Sequence, residues 1–148
     1  MSPVLGRAME IQWTRMAGQW PVEASPLVAV FTGHGISNIL VLNRGGQLMF
    51  WSPDGTNIGS GQDGLVAQLP QGRWTTVPML TDPATGARLV VASVEGLVVG
   101  LDQKFQLLWQ HKLTGETGWG RATAAQLPAG SGQAFVFGDQ SGTVTCLT

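Results

Sequence analysis

RLVVASVEGLVVGLDQKFQLLWQHKLTG, residues 88–115, is the stretch of this chain that decides its fold. It contains three apolar runs, Leu89–Ala92, Leu97–Leu101 and Phe105–Trp109, separated by two short turns. Runs of four or five apolar residues are typical of short strands that are buried on both faces. Because the turns between them are tight, the stretch predicts a three-stranded antiparallel meander.

The pattern of two apolar runs joined by a turn that ends in glycine occurs three times in the chain. The paired runs are Ile39–Leu42 with Gln47–Trp51, Leu89–Ala92 with Leu97–Leu101, and Ala134–Gly138 with Thr143–Leu147. The turn glycines Gly46 and Gly96 are 50 residues apart, and Gly96 and Gly142 are 46 apart. Periods of this length are typical of β-propeller blades. In such turns Gly96 and Gly142 are expected to have positive φ.

The tryptophans follow the repeat as well. Trp20, Trp74 and Trp119 each precede a copy, in GQW, GRW and GW, which predicts that they pack one blade on the next. Trp13 and Trp109 lie in EIQWTRMAG and QLLWQHKLTG, which align with a slip of one residue. The alignment predicts that residues 1–18 supply an outer strand. These five tryptophans and the three turn glycines are therefore the candidate structural and interface residues.

On these repeats the chain resembles the FG-GAP/integrin-α-like and quinoprotein-like β-propellers. The matching segments are LVVASVEGLVVGLDQKFQLLW, ILVLNRGGQLMFWSPDGTNI and AFVFGDQSGTVTCLT. The resemblance implies one all-β domain over residues 1–148, built of three four-stranded antiparallel blades that form a half or partial propeller. The repeats would span approximately residues 19–64, 65–115 and 116–148, with residues 1–18 as the added outer strand.

The family's ligand sites are not expected here. FG-GAP repeats commonly hold calcium with several carboxylates, but Asp82 is the only carboxylate in the loops TGHGISN, TDPATGAR and PAGSGQ. A quinoprotein cofactor site collects residues from a ring of about eight blades, which three blades cannot provide. We therefore predict neither a metal nor a cofactor.

The amino-acid composition limits the classes of partner that the chain is expected to bind. The chain is 43% apolar and only 11% charged, with a net charge of −1, so nothing indicates binding to nucleic acid or to an anionic membrane. A surface so poor in charge predicts apolar faces that meet a protein partner. Cys146 is the only cysteine, which excludes an internal disulfide, and it is predicted to be buried in a strand. No apolar stretch has the length of a secretory signal or a membrane span, and the compartment stays open.

No catalytic constellation is visible. Residues 59–64 match GxGxxG, but no helix pattern follows them, so they predict a loop between blades rather than a phosphate site. His34 and His111 lie in different repeats and cannot form a two-histidine metal motif; His34 could line a ring face. The chain is therefore not expected to be an enzyme.

The sequence predicts a non-catalytic module for protein interaction or self-assembly. Three blades are too few for a ring, which typically has about four to eight, but two chains would give six. In such a homodimer, Met9–Thr14 of one copy would pair with Thr143–Leu147 of the other. Two alternatives remain open: the missing blades belong to a longer propeller enzyme, or the chain is part of a carbohydrate-binding protein with its site on the ring face.

Overall fold

A computed structural model describes residues 8–31, 35–76, 78–81, 87–117, 123–126 and 133–148, and these form three open antiparallel sheets. The first sheet has the order β1-β2-β3-β4, the middle sheet β5-β6-β7-β8, and the third sheet β9-β10-β11. The strands are β1 Leu27–Val30, β2 Ser37–Leu42, β3 Gln47–Trp51, β4 Leu65–Gln68, β5 Met79–Leu80, β6 Leu89–Ala92, β7 Leu97–Leu101, β8 Leu107–Lys112, β9 Thr123–Gln126, β10 Gln133–Gly138 and β11 Val144–Leu147.

The all-β prediction is confirmed, and the central hairpin of each copy is found where the apolar runs place it. β6 and β7 coincide with the predicted runs, and β3 begins and ends at the predicted residues. The predicted run Phe105–Trp109 is wrong at its start, because β8 begins only at Leu107. Phe105 closes a turn instead, with φ 61° and its N–H on the Asp102 carbonyl at 3.1 Å.

Three four-stranded blades are not what the described residues form. The third sheet has three strands, since no fourth strand pairs with β11. The N-terminal segment, defined here as residues 8–18, was predicted to be a strand but forms none. Its residues Trp13 and Ala17 pack on the face of the first sheet rather than beside a strand edge, so the segment has no ladder of backbone groups to join.

The predicted loop between blades at residues 59–64 lies within the first sheet. It connects β3 to β4 and contains one short 3₁₀ turn, Gln62–Gly64. The Trp51 indole N–H donates to the Asp63 carbonyl at 2.9 Å and fixes this loop. The first sheet consequently ends at Gln68, beyond the repeat boundary drawn at residue 64.

The three hairpin turns share one geometry. The N–H of Gly46, Gly96 or Gly142 donates to the carbonyl three residues earlier, at 3.0, 3.0 and 3.2 Å. The glycine φ values are 85°, 88° and 85°, as predicted for the two later turns. A left-handed residue at this position lets the chain re-enter the next strand, and glycine adopts it without the strain that a Cβ adds.

The core lies between the sheets. Apolar side chains of the first and middle sheets form one buried cluster: Leu40, Leu42, Leu48, Phe50, Leu69, Trp74, Leu89, Val91, Val99 and Leu101. A second cluster joins the middle and third sheets: Ala87, Val90, Ala92, Val98, Leu113, Phe135 and Phe137. Alternate residues of β6 and β7 thus face opposite neighbours, and the middle sheet is covered on both faces.

Phe105 contributes to the contact between the first and middle sheets, although its backbone conformation is unfavourable. It occupies the turn position that glycine fills elsewhere, at a cost of about 1–2 kcal/mol for a left-handed residue with a side chain. Its ring lies 5.3 Å from that of Phe50 and 6.0 Å from that of Phe31. The Arg88 guanidinium covers Phe31 at 5.5 Å and donates to the Val30 carbonyl at 2.7 Å. These contacts hold the middle sheet on the first.

Alanine at two turn glycines should separate backbone strain from steric conflict. A Cβ on Gly142 meets nothing within 4 Å, whereas one on Gly96 meets the Gly115 carbonyl oxygen. We expect Gly142→Ala to lower the free energy of unfolding by about 1–2 kcal/mol through its positive φ. Gly96→Ala should cost about 1–3 kcal/mol more. Urea unfolding of both variants measures the difference, and equal losses would contradict the close approach at Gly96.

Candidate functional site

Each hairpin turn holds the connecting segment that leads into its sheet. The second residue of each turn donates its backbone N–H to that segment at 2.8 Å: Arg44 to Pro21, Val94 to Arg73 and Gln140 to Glu116. The connection is therefore made by backbone groups and does not depend on the side chain at that position. The turn ends of the three sheets carry the same contact.

Glycines make this contact possible, and sequence reasoning did not assign them that role. A Cβ on Gly18 would lie 2.8 Å from Asn43 Nδ2, and one on Gly72 would lie 3.3 Å from Ser93 Cβ. A Cβ on Gly115 would lie 2.9 Å from Asp139 Cγ. Asn43, Ser93 and Asp139 each begin a hairpin turn. The sequence does contain a glycine before each hairpin turn, but the number of residues between this glycine and the turn differs among the three copies.

Trp74 and Trp20 do not lie in equivalent environments. Trp74 is 0% exposed in the cluster between the first and middle sheets, and its indole N–H donates to the Pro70 carbonyl at 3.0 Å. Trp20 lies over Gly45 and is 51% exposed. Trp119 lies outside the described residues. Of the two, only Trp74 packs between sheets.

The N-terminal segment covers part of the first sheet's outer face. Trp13 donates its indole N–H to the Pro53 carbonyl at 2.9 Å, and its ring meets Trp51 edge to face at 6.2 Å. Trp13 and Ala17 pack on a buried cluster of Val41, Met49 and Trp51, with Ile39 beside it. Ile39 and Trp51 are directly paired across β2 and β3.

Trp109 has the corresponding place on the third sheet. Its ring lies 6.1 Å from that of Phe135, and it packs on the cluster that also contacts Leu147. Phe135 and Leu147 are directly paired across β10 and β11, as Ile39 and Trp51 are in the first sheet. The N-terminal segment therefore lies against the first sheet as β8 lies against the third. This agrees with the alignment of EIQWTRMAG with QLLWQHKLTG.

The outward faces of the two end sheets both carry exposed apolar side chains. Phe135 and Phe137 of β10 face the middle sheet, so the alternate residues Val136, Val144 and Cys146 face away from it. Val144 is 71% exposed, and Cys146 is also exposed, which corrects the prediction of a buried cysteine. The reason is that no described residue packs on this face. On the first sheet, Val28 and Val30 are exposed likewise.

A cleft of about 730 Å³ opens at the turn end between the first and middle sheets. Its lining includes the exposed Trp20 indole, Gln68, Gln71 and the ion pair of Arg73 with Glu95, whose nearest atoms are 2.9 Å apart. Burial raises the pKa of Glu95, but hydrogen bonds from the backbone N–H and guanidinium of Arg73 outweigh it and lower that pKa to about 2. Glu95 is therefore an ionised acceptor at neutral pH rather than a general acid.

The other candidate residues come together nowhere in the described structure. His111 is exposed on β8, while His34 and Asp82 lie outside the described residues. Within the described residues no three His, Cys, Asp or Glu side chains are close enough to share a metal ion. The GxGxxG loop leads into a strand and so presents no helix N-terminus to a phosphate. No helix in the described part of the chain could span a membrane.

Replacing Trp74 or Trp20 by alanine allows the contributions of the two side chains to stability to be compared. Trp74→Ala should lower the free energy of unfolding by about 3–5 kcal/mol, because it opens a cavity between two sheets. Trp20→Ala should change it by about 0.5 kcal/mol or less, because half of that side chain is already in water. Chemical unfolding followed by circular dichroism measures both. A Trp20 variant as unstable as the Trp74 variant would contradict the difference in their packing.

No protein-family model matches this chain, and no curated protein matches it either. The features that bear on function are the exposed apolar side chains of the end faces, the edge of β11 that is unpaired among the described residues, and the cleft beside Trp20.

Proposed function

We propose that the chain is a non-catalytic β-propeller module that works by self-assembly, its two end sheets packing on those of a second copy. The observation that carries the proposal is a contrast between equivalent positions. Val98 lies two residues after the turn glycine Gly96 and is 0% exposed between two sheets. Val144 lies two residues after Gly142 and is 71% exposed. Val144 therefore occupies the position equivalent to Val98 but lacks the neighbouring sheet that covers Val98.

The two end faces are chemically complementary. The outer face of the third sheet offers Val136, Val144 and Cys146, and that of the first sheet offers Val28 and Ile39. Neither set contains a charged side chain. Removing apolar surface of this kind from water contributes about 25 cal/mol per Å². Contact between these apolar side chains therefore stabilises an assembly.

Two copies would supply six sheets, within the usual range of about four to eight blades in a ring. A twofold axis would then create two identical junctions, each joining the third sheet of one copy to the first sheet of the other. The net charge of −1 also favours such a partner over nucleic acid or an anionic membrane. The same faces would meet further blades if the chain belonged to a longer propeller.

Sedimentation velocity on the purified chain tests self-assembly, and we expect a dimer. Val144→Lys places an unpaired charge at each junction and should weaken dimerisation by about 100-fold or more, since an unpaired buried charge costs about 3–5 kcal/mol. Leu108→Lys is the matched control, because Leu108 is an exposed apolar residue on the outer strand of the middle sheet. It should leave the dimer intact. A stable wild-type monomer would contradict self-assembly and would favour contact with other blades.

The cleft supports a second candidate function, the binding of a neutral carbohydrate. An exposed indole offers a flat apolar surface for a sugar ring, and the amides of Gln68 and Gln71 with the paired Arg73 and Glu95 offer hydrogen bonds without net charge. The volume lies within the roughly 300–1,000 Å³ of small-molecule sites. This site would act beside the assembly rather than replace it.

Titration with a panel of neutral oligosaccharides, followed by tryptophan fluorescence, tests the cleft. Binding should produce a saturable change that Trp20→Ala removes and that Gln71→Ala weakens by about tenfold, the effect of one lost hydrogen bond. Gln103→Ala changes an exposed glutamine in a turn of the middle sheet outside the cleft and should have no effect. Absence of any saturable response would exclude this candidate for the sugars used.

A further inference from the structure

We infer that the N-terminal segment of one copy becomes the missing fourth strand of the third sheet of a second copy, with Trp13 directly opposite Cys146. This inference rests on the proposed self-assembly and names the chain segment and the register that create each junction. The contact is a β-ladder at a strand edge, in addition to the packing of faces.

The acceptor is the free edge of β11. In the first sheet β3 pairs with both β2 and β4, and in the middle sheet β7 pairs with both β6 and β8. β11 has the same place in its sheet but pairs only with β10 among the described residues. Its second edge therefore presents backbone N–H and C=O groups that another strand can use.

The donor is already held in a suitable place. The N-terminal segment is fixed at Trp13, as described above, and at Ala17, whose carbonyl accepts from Asn43 Nδ2 at 2.8 Å. It pairs with no strand in the described structure, and its apolar side chain Ile11 is 87% exposed. A segment without a strand partner can add to the free edge of another sheet.

The register follows from the match between Trp13 and Trp109. Trp109 of β8 lies opposite Gly100 of β7, four residues after the turn glycine of that sheet. Four residues after Gly142 is Cys146. If the N-terminal segment pairs with β11 as β8 pairs with β7, Trp13 is opposite Cys146.

The neighbouring pair follows from the same ladder. His111 lies opposite Val98 in the middle sheet. Arg15 is two residues after Trp13, and Val144 is two residues before Cys146, so these two are opposite one another across the junction. Both belong to the face that looks toward the first sheet of the donor copy, because side chains on a strand alternate with period two.

A second copy is required because one chain cannot make this contact with itself. One face of the middle sheet is covered by the first sheet and the other by the third. The N-terminal segment lies beyond the first sheet, so it is separated from β11 by two sheet spacings of about 10 Å each and by the further distance to its own layer. Its anchors at Trp13 and Ala17 hold it there.

A disulfide across the junction tests the register while leaving Trp13 in place. The protein carries Arg15→Cys, Val144→Cys and Cys146→Ser, and is oxidised mildly as the assembled dimer. Directly opposite residues have Cα atoms about 4.5–5.5 Å apart, within the range of disulfides. We expect most of the chain to run as a covalent dimer on a non-reducing gel. The matched control replaces Arg15→Cys by Thr14→Cys, one residue away and on the other face, and should give about tenfold less covalent dimer.

The outcomes separate this inference from the proposed function. A dimer in sedimentation that forms no disulfide, or that forms it equally well in the Thr14 control, would overturn the strand register while self-assembly stands. An oxidised monomer would show that the segment reaches β11 of its own chain and would also overturn the inference. A chain that sediments as a monomer before oxidation would overturn both. Deletion of residues 1–18 should abolish the dimer if the strand is the donor.

Discussion

Burial of both faces of the middle sheet is the constraint on which the rest of the structure depends. β6 and β7 are apolar at consecutive positions, so neither face can be left in water. One face takes the first sheet and the other takes the third. Three sheets stacked in this way leave two outer faces. Exposed apolar side chains lie on both of them, Val144 on the third sheet and Val28 on the first, while the N-terminal segment packs on Met49 and Trp51.

The hairpin turns hold the connecting segment that precedes each sheet. Each turn ends in a left-handed glycine and holds the preceding connector through a backbone hydrogen bond. Phe105 accepts the same conformation at a cost, because its ring then joins Phe31 and Phe50 between two sheets. The turn ends are thus shaped by backbone geometry, and the cleft beside Trp20 lies between two of them. Of its charged side chains, Arg73 is paired with Glu95 and Arg44 is paired with Glu23, which leaves amides and an indole for a ligand.

The ends of the stack connect structure with function. Trp13 on the first sheet and Trp109 on the third occupy corresponding places, although only Trp109 belongs to a paired strand. In the proposed dimer, a segment that packs as an outer strand but has no partner and a strand that lacks an outer neighbour would be two parts of one junction. Such an assembly would also account for the low charge of so apolar a chain.

The sequence alone determined the hairpins, because apolar runs at Leu89–Ala92 and Leu97–Leu101 and the glycine between them are local signals. It also located the positive φ of Gly96 and Gly142, since a tight turn requires it. Only the tertiary structure decided what covers each face: Trp74 is buried and Trp20 is not, and Cys146 is exposed. The N-terminal segment likewise forms no strand in the described structure, because it packs on the face of the first sheet and not beside a free strand edge. The burial of a side chain and the pairing of a strand depend on residues that are distant in sequence. The residue type and the periodicity of a segment do not show whether those residues lie beside it.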